Sequence, residues 1–336
     1  MLDSGAPAAV PHTMRAVVQE SYGSADVLRL DEVAPPEIAD NEVLVRVRAA
    51  GLDRGTWHLM TGKPYLMRVI GFGFRRPKSR VPGLDVSGVV VAVGAAVTRF
   101  NIGEDVYGIS RGSFAEYAAV LEEKLATKPQ RLSFEQAAAV PISGGTALQA
   151  LTDAGRVKAG QSVLVLGASG GVGTYAVQLA KALGAEVTGV ASTAKQDLVS
   201  SLGADHVLDY TRDDFADGSR HYDLILDVGG NPSLSRLRRA LKPGGSAVIV
   251  GGEDGGAVTG GFGRSLRAPL ASPILRRRLT MLVSKERASD LEWLLPFLES
   301  GQVVPSIDSS YPLDQAREAM RHLETGQVRG KVVIVV

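Results

Sequence analysis

A chain of 336 residues exceeds the size at which one hydrophobic core keeps growing, so two domains are expected. Its 37 basic against 36 acidic side chains leave no excess charge for nucleic acid or an anionic membrane, and 45% hydrophobic residues exclude a disordered chain. The absence of cysteine removes disulfides, thiolate nucleophiles, cysteine zinc sites and iron–sulfur clusters together, and agrees with a cytoplasmic setting.

Residues 1–13, MLDSGAPAAVPHT, have neither a basic start nor a continuous apolar run, so they read as a flexible extension and not as a signal peptide or a span. Short β-rich runs follow: RAVVQ, DVLRLDEV and EVLVRVRAAGL, where Val43, Val45 and Val47 alternate with Leu44, Arg46 and Arg48 as half-buried strands do. Ala34 to Asn41 is punctuation between strands. GVVVAVGAAVTRFNIGEDVYG and SFAEYAAV add further strands joined by glycine-rich turns, which suggests a partly open barrel or folded sheet. Between these blocks, Gly51 to Arg80 carries Trp57, His58, Tyr65, Phe72 and Phe74. A segment so long and aromatic either serves function or packs its own rings. Its basic end, Arg75, Arg76, Lys78 and Arg80, reads as a solvated edge.

SFEQAAAVPISGGTALQALTDAG has helical spacing, with Ser133 as N-cap and Glu135 and Gln136 in the first turn. Strand and helix signals alternate afterwards through SAVIVG, the signature of a doubly wound parallel sheet. Gly251 to Arg278 is glycine-rich, then basic, and reads as a mobile connection. LTMLVS is a candidate edge strand, SDLEWLLPFLESG and PLDQAREAMRHLETG are helices ended by Gly301 and Gly326, and KVVIVV is a buried strand returning to the first domain.

The chemistry concentrates at VLVLGASGGVGTYA, residues 163–176, where an apolar strand runs into Gly167, Gly170, Gly171 and Gly173 and then into a helix. Glycines there let the backbone turn sharply and approach a pyrophosphate, whose charge meets free N–H groups at the helix start. The next strand ends at Val190 and Ala191 on Ser192, Thr193 and Lys195, donors and a cation suited to a 2′-phosphate, so NADP(H) is the expected cofactor. A P-loop is excluded because no GxxxxGK[ST] occurs, and a short-chain dehydrogenase because no Tyr has Lys four positions on. His12, His58, His206, His221 and His322 are scattered without the spacing of a zinc site, so no metal ligands are expected.

These residues together resemble the medium-chain dehydrogenase/reductase superfamily, specifically its zinc-free quinone oxidoreductase-like branch. The likeness runs from Met14 to Val336 through VPGLDVSGVVVAVG, NIGEDVYG, ALQAL behind Gly144, Gly145 and Thr146, the 163–176 cradle, LGADHVLDY and RGKVVIV. It implies a GroES-like β-rich catalytic domain over residues 14–135 and 287–336 around a Rossmann NADP(H)-binding domain over 136–286, with the active site in the cleft between them. By the same likeness Thr146 lies near the nicotinamide amide. Gly170, Gly171 and Val172 hold the pyrophosphate, within the turn that Gly167, Ser169 and Gly173 complete. Ser192, Lys195 and Tyr210 hold the 2′-phosphate, Val228, Gly229 and Gly251 line the ribose and nicotinamide channel, and Lys331 closes near the cofactor. Members often pair edge strands between subunits, so a homodimer through LTMLVS is implied. Zinc-dependent relatives carry Gly-His-Glu where this chain has Gly83, Leu84 and Asp85, and quinone reductases carry Asn where it has Asp53.

The expected reaction is hydride transfer from NADPH to a quinone or to the β-carbon of an enone or enal, followed by protonation. Asp53, His58 and Tyr65 are the candidate donors, with Trp57 shaping the pocket. Two alternatives stand beside it: a zinc-free alcohol dehydrogenase or carbonyl reductase of a specialised metabolite, and an NADPH-binding protein without turnover.

Overall fold

The structure, a computed structural model, describes residues 10–251, 256, 258, 260, 268 and 277–336. The extension expected at the start lies outside the described residues up to position 9, as does most of the glycine-rich connection.

The β-rich part begins with β1 (Met14–Val18) and β2 (Arg29–Val33), an antiparallel pair. Strand β3 (Glu42–Leu52) leads into helix α1 (Arg54–Thr61), followed by β4 (Asp85–Val93), β5 (Asp105–Ile109), β6 (Tyr117–Leu121) and β7 (Leu125–Thr127). Helices α2 (Phe134–Ala138) and α3 (Pro141–Gln149) then carry the chain across. The predicted cap at Ser133 is present as a full capping box: its hydroxyl accepts from Gln136 N, and the Gln136 side chain answers the Ser133 N–H.

The α/β part comprises β8 (Ser162–Leu166), α4 (Gly171–Ala182), β9 (Glu186–Ala191), α5 (Gln196–Ser201), β10 (His206–Asp209), β11 (Tyr222–Asp227), α6 (Leu234–Ala240), β12 (Leu241–Ile249) and β13 (Arg278–Met281). Its six strands are all parallel, in the order β10-β9-β8-β11-β12-β13. A parallel sheet is covered on both faces, so its strands are apolar throughout. Along β8 the pleat sends Val163 and Val165 into a core with Tyr175 and Leu179, and Leu164 and Leu166 into a second core with Leu237. Fully burying each such side chain stabilises by about 1.5–3 kcal/mol. Within α4, Ala176, Leu179 and Ala180 are buried and Val172 and Leu183 pack beside them, as the helical spacing predicts.

The chain then forms α7 (Ala288–Ser300), β14 (Ile307–Pro312), α8 (Ala316–Glu324) and β15 (Lys331–Val335). Strand β15 lies between β14 and β3, pairing Val332 with Leu52 and Val335 with Ala49, in a sheet that continues through β4, β5 and β7. The apolar stripe Leu291, Leu294 and Leu298 places α7 in the core of α3 and α4, while Tyr107 from β5 donates to Leu291 O at 3.1 Å. Helix α7 therefore bridges the two sheets.

Candidate active site

The strand order reverses between β8 and β11, where chains leave the sheet in opposite directions and open a crevice beyond the strand ends. Leu166 O, the last acceptor of β8, receives both Val228 N and Gly229 N at 3.1 Å, which draws the end of β11 against the turn. Gly167 follows at φ 79°, and a side-chain carbon there would meet Gly229 N at 2.8 Å. At Gly173 the same carbon would sit 2.1 Å from Gly167 O, so that glycine exists to let helix and strand touch. Gly170 is different. It caps α4 with extended backbone and no side-chain cap, and an added carbon would meet only Gly167 O, at 3.5 Å.

The first-turn amides of α4 have no intrahelical acceptor and carry the positive end of the helix dipole. Beside them the Ser143 hydroxyl is buried without a partner, and a carbon added at Gly171 would lie 3.1 Å from both Ser143 Oγ and Lys331 Cδ. Open amides, an orphaned buried hydroxyl and a lysine stem converge on one glycine-lined place, which fits a dinucleotide pyrophosphate. Ser169 and Gly170 also meet the other sheet: Gly330 N donates to Ser169 O at 2.9 Å, and Gly170 bridges Gly330.

Farther along the crevice, Ser192 precedes a short turn over Thr193–Lys195. Lys195 Nζ reaches across to Gly326 O at 2.8 Å and Val328 O at 2.9 Å. Arg329 reaches back, donating to Asp197 Oδ2 at 2.6 Å and Ala194 O at 3.4 Å. Thr193 bonds Asp209, whose other oxygen accepts from Thr211, so that carboxylate is committed inside the loop. Tyr210, 65% exposed, stands beside this loop with its N–H on Ala191 O. At the opposite end Thr146 is buried on α3 with its hydroxyl on Ser284 Oγ at 3.2 Å, and Gly251 N bonds Asp227 O.

On the β-rich side Asp53 caps α1, accepting Thr56 N at 2.9 Å through Oδ1. Its Oδ2 is buried 3.6 Å from Lys331 Nζ, which lies 2.8 Å from Asp85 Oδ2. Asp85 and Lys331 are fully buried, and Asp85 Oδ1 accepts Ile142 N at the start of α3. Burial pushes the Asp85 carboxyl up to about 7, against the pull of Lys331 and with the repulsion of Asp53. The Lys331 ammonium is held above its usual value because its two carboxylates outweigh its own desolvation.

The other candidates do not join this group. Trp57 turns toward α8, donating to Glu324 Oε1 at 2.9 Å and packing on the core of Leu313 and Met320. His58 packs edge-on to Trp57 and has Nδ1 2.8 Å from Lys63 O, so it braces the loop at the end of its own helix. Tyr65 is 44% exposed under the Arg68 guanidinium. Each ring has partners that residue type alone did not disclose.

Residues 39–130 match the alcohol dehydrogenase GroES-like domain, and residues 202–334 the zinc-binding dehydrogenase family. Over 97% of this chain and 80% of its own, the 2-methylene-furan-3-one reductase of Solanum lycopersicum is 38% identical. The NADPH-dependent alkenal/one oxidoreductase of Arabidopsis thaliana is 36% identical over 98% of this chain and 81% of its own. A solved quinone oxidoreductase from Coxiella burnetii superposes with a TM-score of 0.85 at 31% identity, covering 96% of this chain and 99% of its own. The chain belongs to the medium-chain dehydrogenase/reductase superfamily, in its quinone oxidoreductase-like branch.

As a member of that superfamily it is an oxidoreductase that uses a pyridine nucleotide, with a GroES-like domain beside a Rossmann-like parallel sheet. Among the described residues no three His, Asp or Glu side chains gather as a metal site, and no helix is long and apolar enough to cross a membrane. Sequence reasoning missed Asp85, Ser143 and Arg329. Arg329 and Asp85 stand in quoted motifs, directly before GKVVIV and after Leu84, but their relevance depends on strands far apart in the chain meeting at one seam.

Proposed function

We propose that this oxidoreductase takes its hydride from NADPH and reduces quinones or α,β-unsaturated ketones and aldehydes without zinc. The observation that carries the cofactor assignment is the crevice at the β8/β11 reversal, with its open amides, orphaned Ser143 hydroxyl and adjoining cation pair Lys195 and Arg329. The acceptor class rests on the alkenal/one, furanone and quinone reductases that the chain resembles.

Bound NADPH supplies the hydride from nicotinamide C4. The amides of Gly171, Val172 and Gly173 and the Ser143 hydroxyl hold the pyrophosphate. Ser192, Lys195, Tyr210 and Arg329 surround the 2′-phosphate, a dianion that a cation pair favours over a free hydroxyl. Val228, Gly229 and Gly251 line the channel, and Thr146, held by Ser284, meets the carboxamide. Holding donor and acceptor in a near-attack pose contributes about 7–11 kcal/mol to lowering the barrier. Independence from zinc is supported by Leu84, which stands near Asp53 where zinc-dependent relatives have histidine: a carbon added at Gly55 would lie 3.5 Å from Leu84 Cδ1 and 3.1 Å from Asp53 Oδ1. Strand β13, at the sheet edge, is the pairing surface of a homodimer in the same proposal.

The test is NADPH oxidation over a panel of quinones, enones and enals, with products identified and with chelator present. Saturated ketones or hydroquinones at undiminished rate are expected; allylic alcohols from enones would instead make the enzyme a carbonyl reductase.

A further inference from the structure

The Asp53–Lys331–Asp85 cluster is out of balance. Two carboxylates share one ammonium in a place closed to water, where an uncompensated charge is expensive. Asp53 Oδ2 has no hydrogen-bond donor, and the Lys331 stem lies beside the turn expected to receive a pyrophosphate, its Cδ 3.1 Å from a carbon added at Gly171. The groups facing Asp85 are Lys331 from β15, Asp53 from the cap of α1, the Ile142 N–H from α3 and Tyr175 from α4. Tyr175 is kept neutral: burial drives its phenol well above the usual value, and it donates to Ala139 O. Only Lys331 is positive in this set.

We propose that docking of a dinucleotide pyrophosphate on the Gly170–Gly173 turn is coupled to uptake of one solvent proton by Asp85, the positioning residue that holds Lys331 against the turn. The proposal rests on the cradle being the pyrophosphate site. An anion arriving beside Lys331 draws on the field that this single cation supplies to both carboxylates. Their second negative charge then becomes costlier, and a proton from solvent removes it. Asp85 is the acceptor because it is the more deeply buried of the two and burial already pushes its carboxyl up to about 7, so a modest added potential changes its occupancy at neutral pH. Neutral Asp85 still accepts from Lys331 and Ile142, so the turn stays anchored. The sign is fixed: the complex holds more protons than the free enzyme, and affinity falls as pH rises above about 7.

Calorimetric titration of the whole enzyme with NADPH at pH 8, in phosphate and in Tris, reads the linkage directly. Uptake of a few tenths of a proton is expected. NADH should give the same value, since it has the pyrophosphate without the titrating 2′-phosphate. Asp85→Asn should abolish the uptake and flatten the pH dependence of Kd. Equal observed enthalpies in the two buffers for the wild type, or undiminished uptake in the variant, overturn the coupling. Absence of any nucleotide binding overturns the cradle assignment itself, a separate result. Should the variant not fold, the infrared difference between NADPH-bound and free wild type decides: a gained protonated-carboxyl band supports the proposal, and its absence sinks it.

Discussion

The two walls of the crevice are built on different principles. The wall proposed for the cofactor begins in backbone: Gly167, Gly170 and Gly173 shape the turn at the start of α4, beside the Ser143 hydroxyl and the Lys331 stem. The wall formed by Gly51 to Arg80 works through side chains, and three of its rings are tied to neighbours: Trp57 to Glu324, His58 to Lys63, Tyr65 to Arg68. A backbone site is written in the order of residues along one short stretch, whereas a side-chain site depends on which distant elements come to stand beside it.

The sharpest way to break this contrast is Gly173→Val. With 2.1 Å between the new carbon and Gly167 O, the helix must leave the strand, so a loss at the upper end of the about 1–3 kcal/mol typical of overpacking, or beyond it, is expected in denaturant unfolding. Gly170→Val separates geometry from stability. Its side chain has room inward and projects into the cradle, so nucleotide affinity should fall by about 100-fold, near 2.7 kcal/mol, at unchanged melting temperature. Retained affinity would mean that the turn is not the anion site. Lys195→Ala probes the side-chain contribution at the cofactor wall: NADPH should weaken about tenfold, near 1.4 kcal/mol, and NADH little, as fluorescence titration would show. An equal loss for both would place Lys195 in the structural bonds to Gly326 and Val328 alone. On the opposite wall Trp57→Phe should cost only about 1 kcal/mol of stability through its bond to Glu324, with kcat unchanged. A collapse of kcat would return Trp57 to the pocket.

What was legible follows the same division. The parallel sheet, the cradle, the cap at Ser133 and the edge strand at LTMLVS could be read because each depends on a local period or a local turn. The meeting of Asp53, Asp85 and Lys331 could not, since it requires β3 to pair with β4 on one side and β15 on the other, which joins residues up to 278 positions apart. His58 and Trp57 looked chemical by residue type, and only the folded chain shows their bonds to Lys63 and Glu324. Arg329 was passed over because nothing in its own neighbourhood distinguishes it from a surface cation; its meaning comes from Asp197 and Ala194 across the crevice.

Strand β15 sets the timetable of folding. It occupies an interior place between β14 and β3, yet it is synthesised some 280 residues after β3, so the β-rich sheet waits for nearly the whole chain while the parallel one can assemble earlier. Until β15 arrives, the edge of β3 that it will cover lies open to pairing with other chains. Shortening the protein by its last six residues would therefore remove an inner plank of the β-rich sheet, and with it the lysine that stands between Asp53 and Asp85.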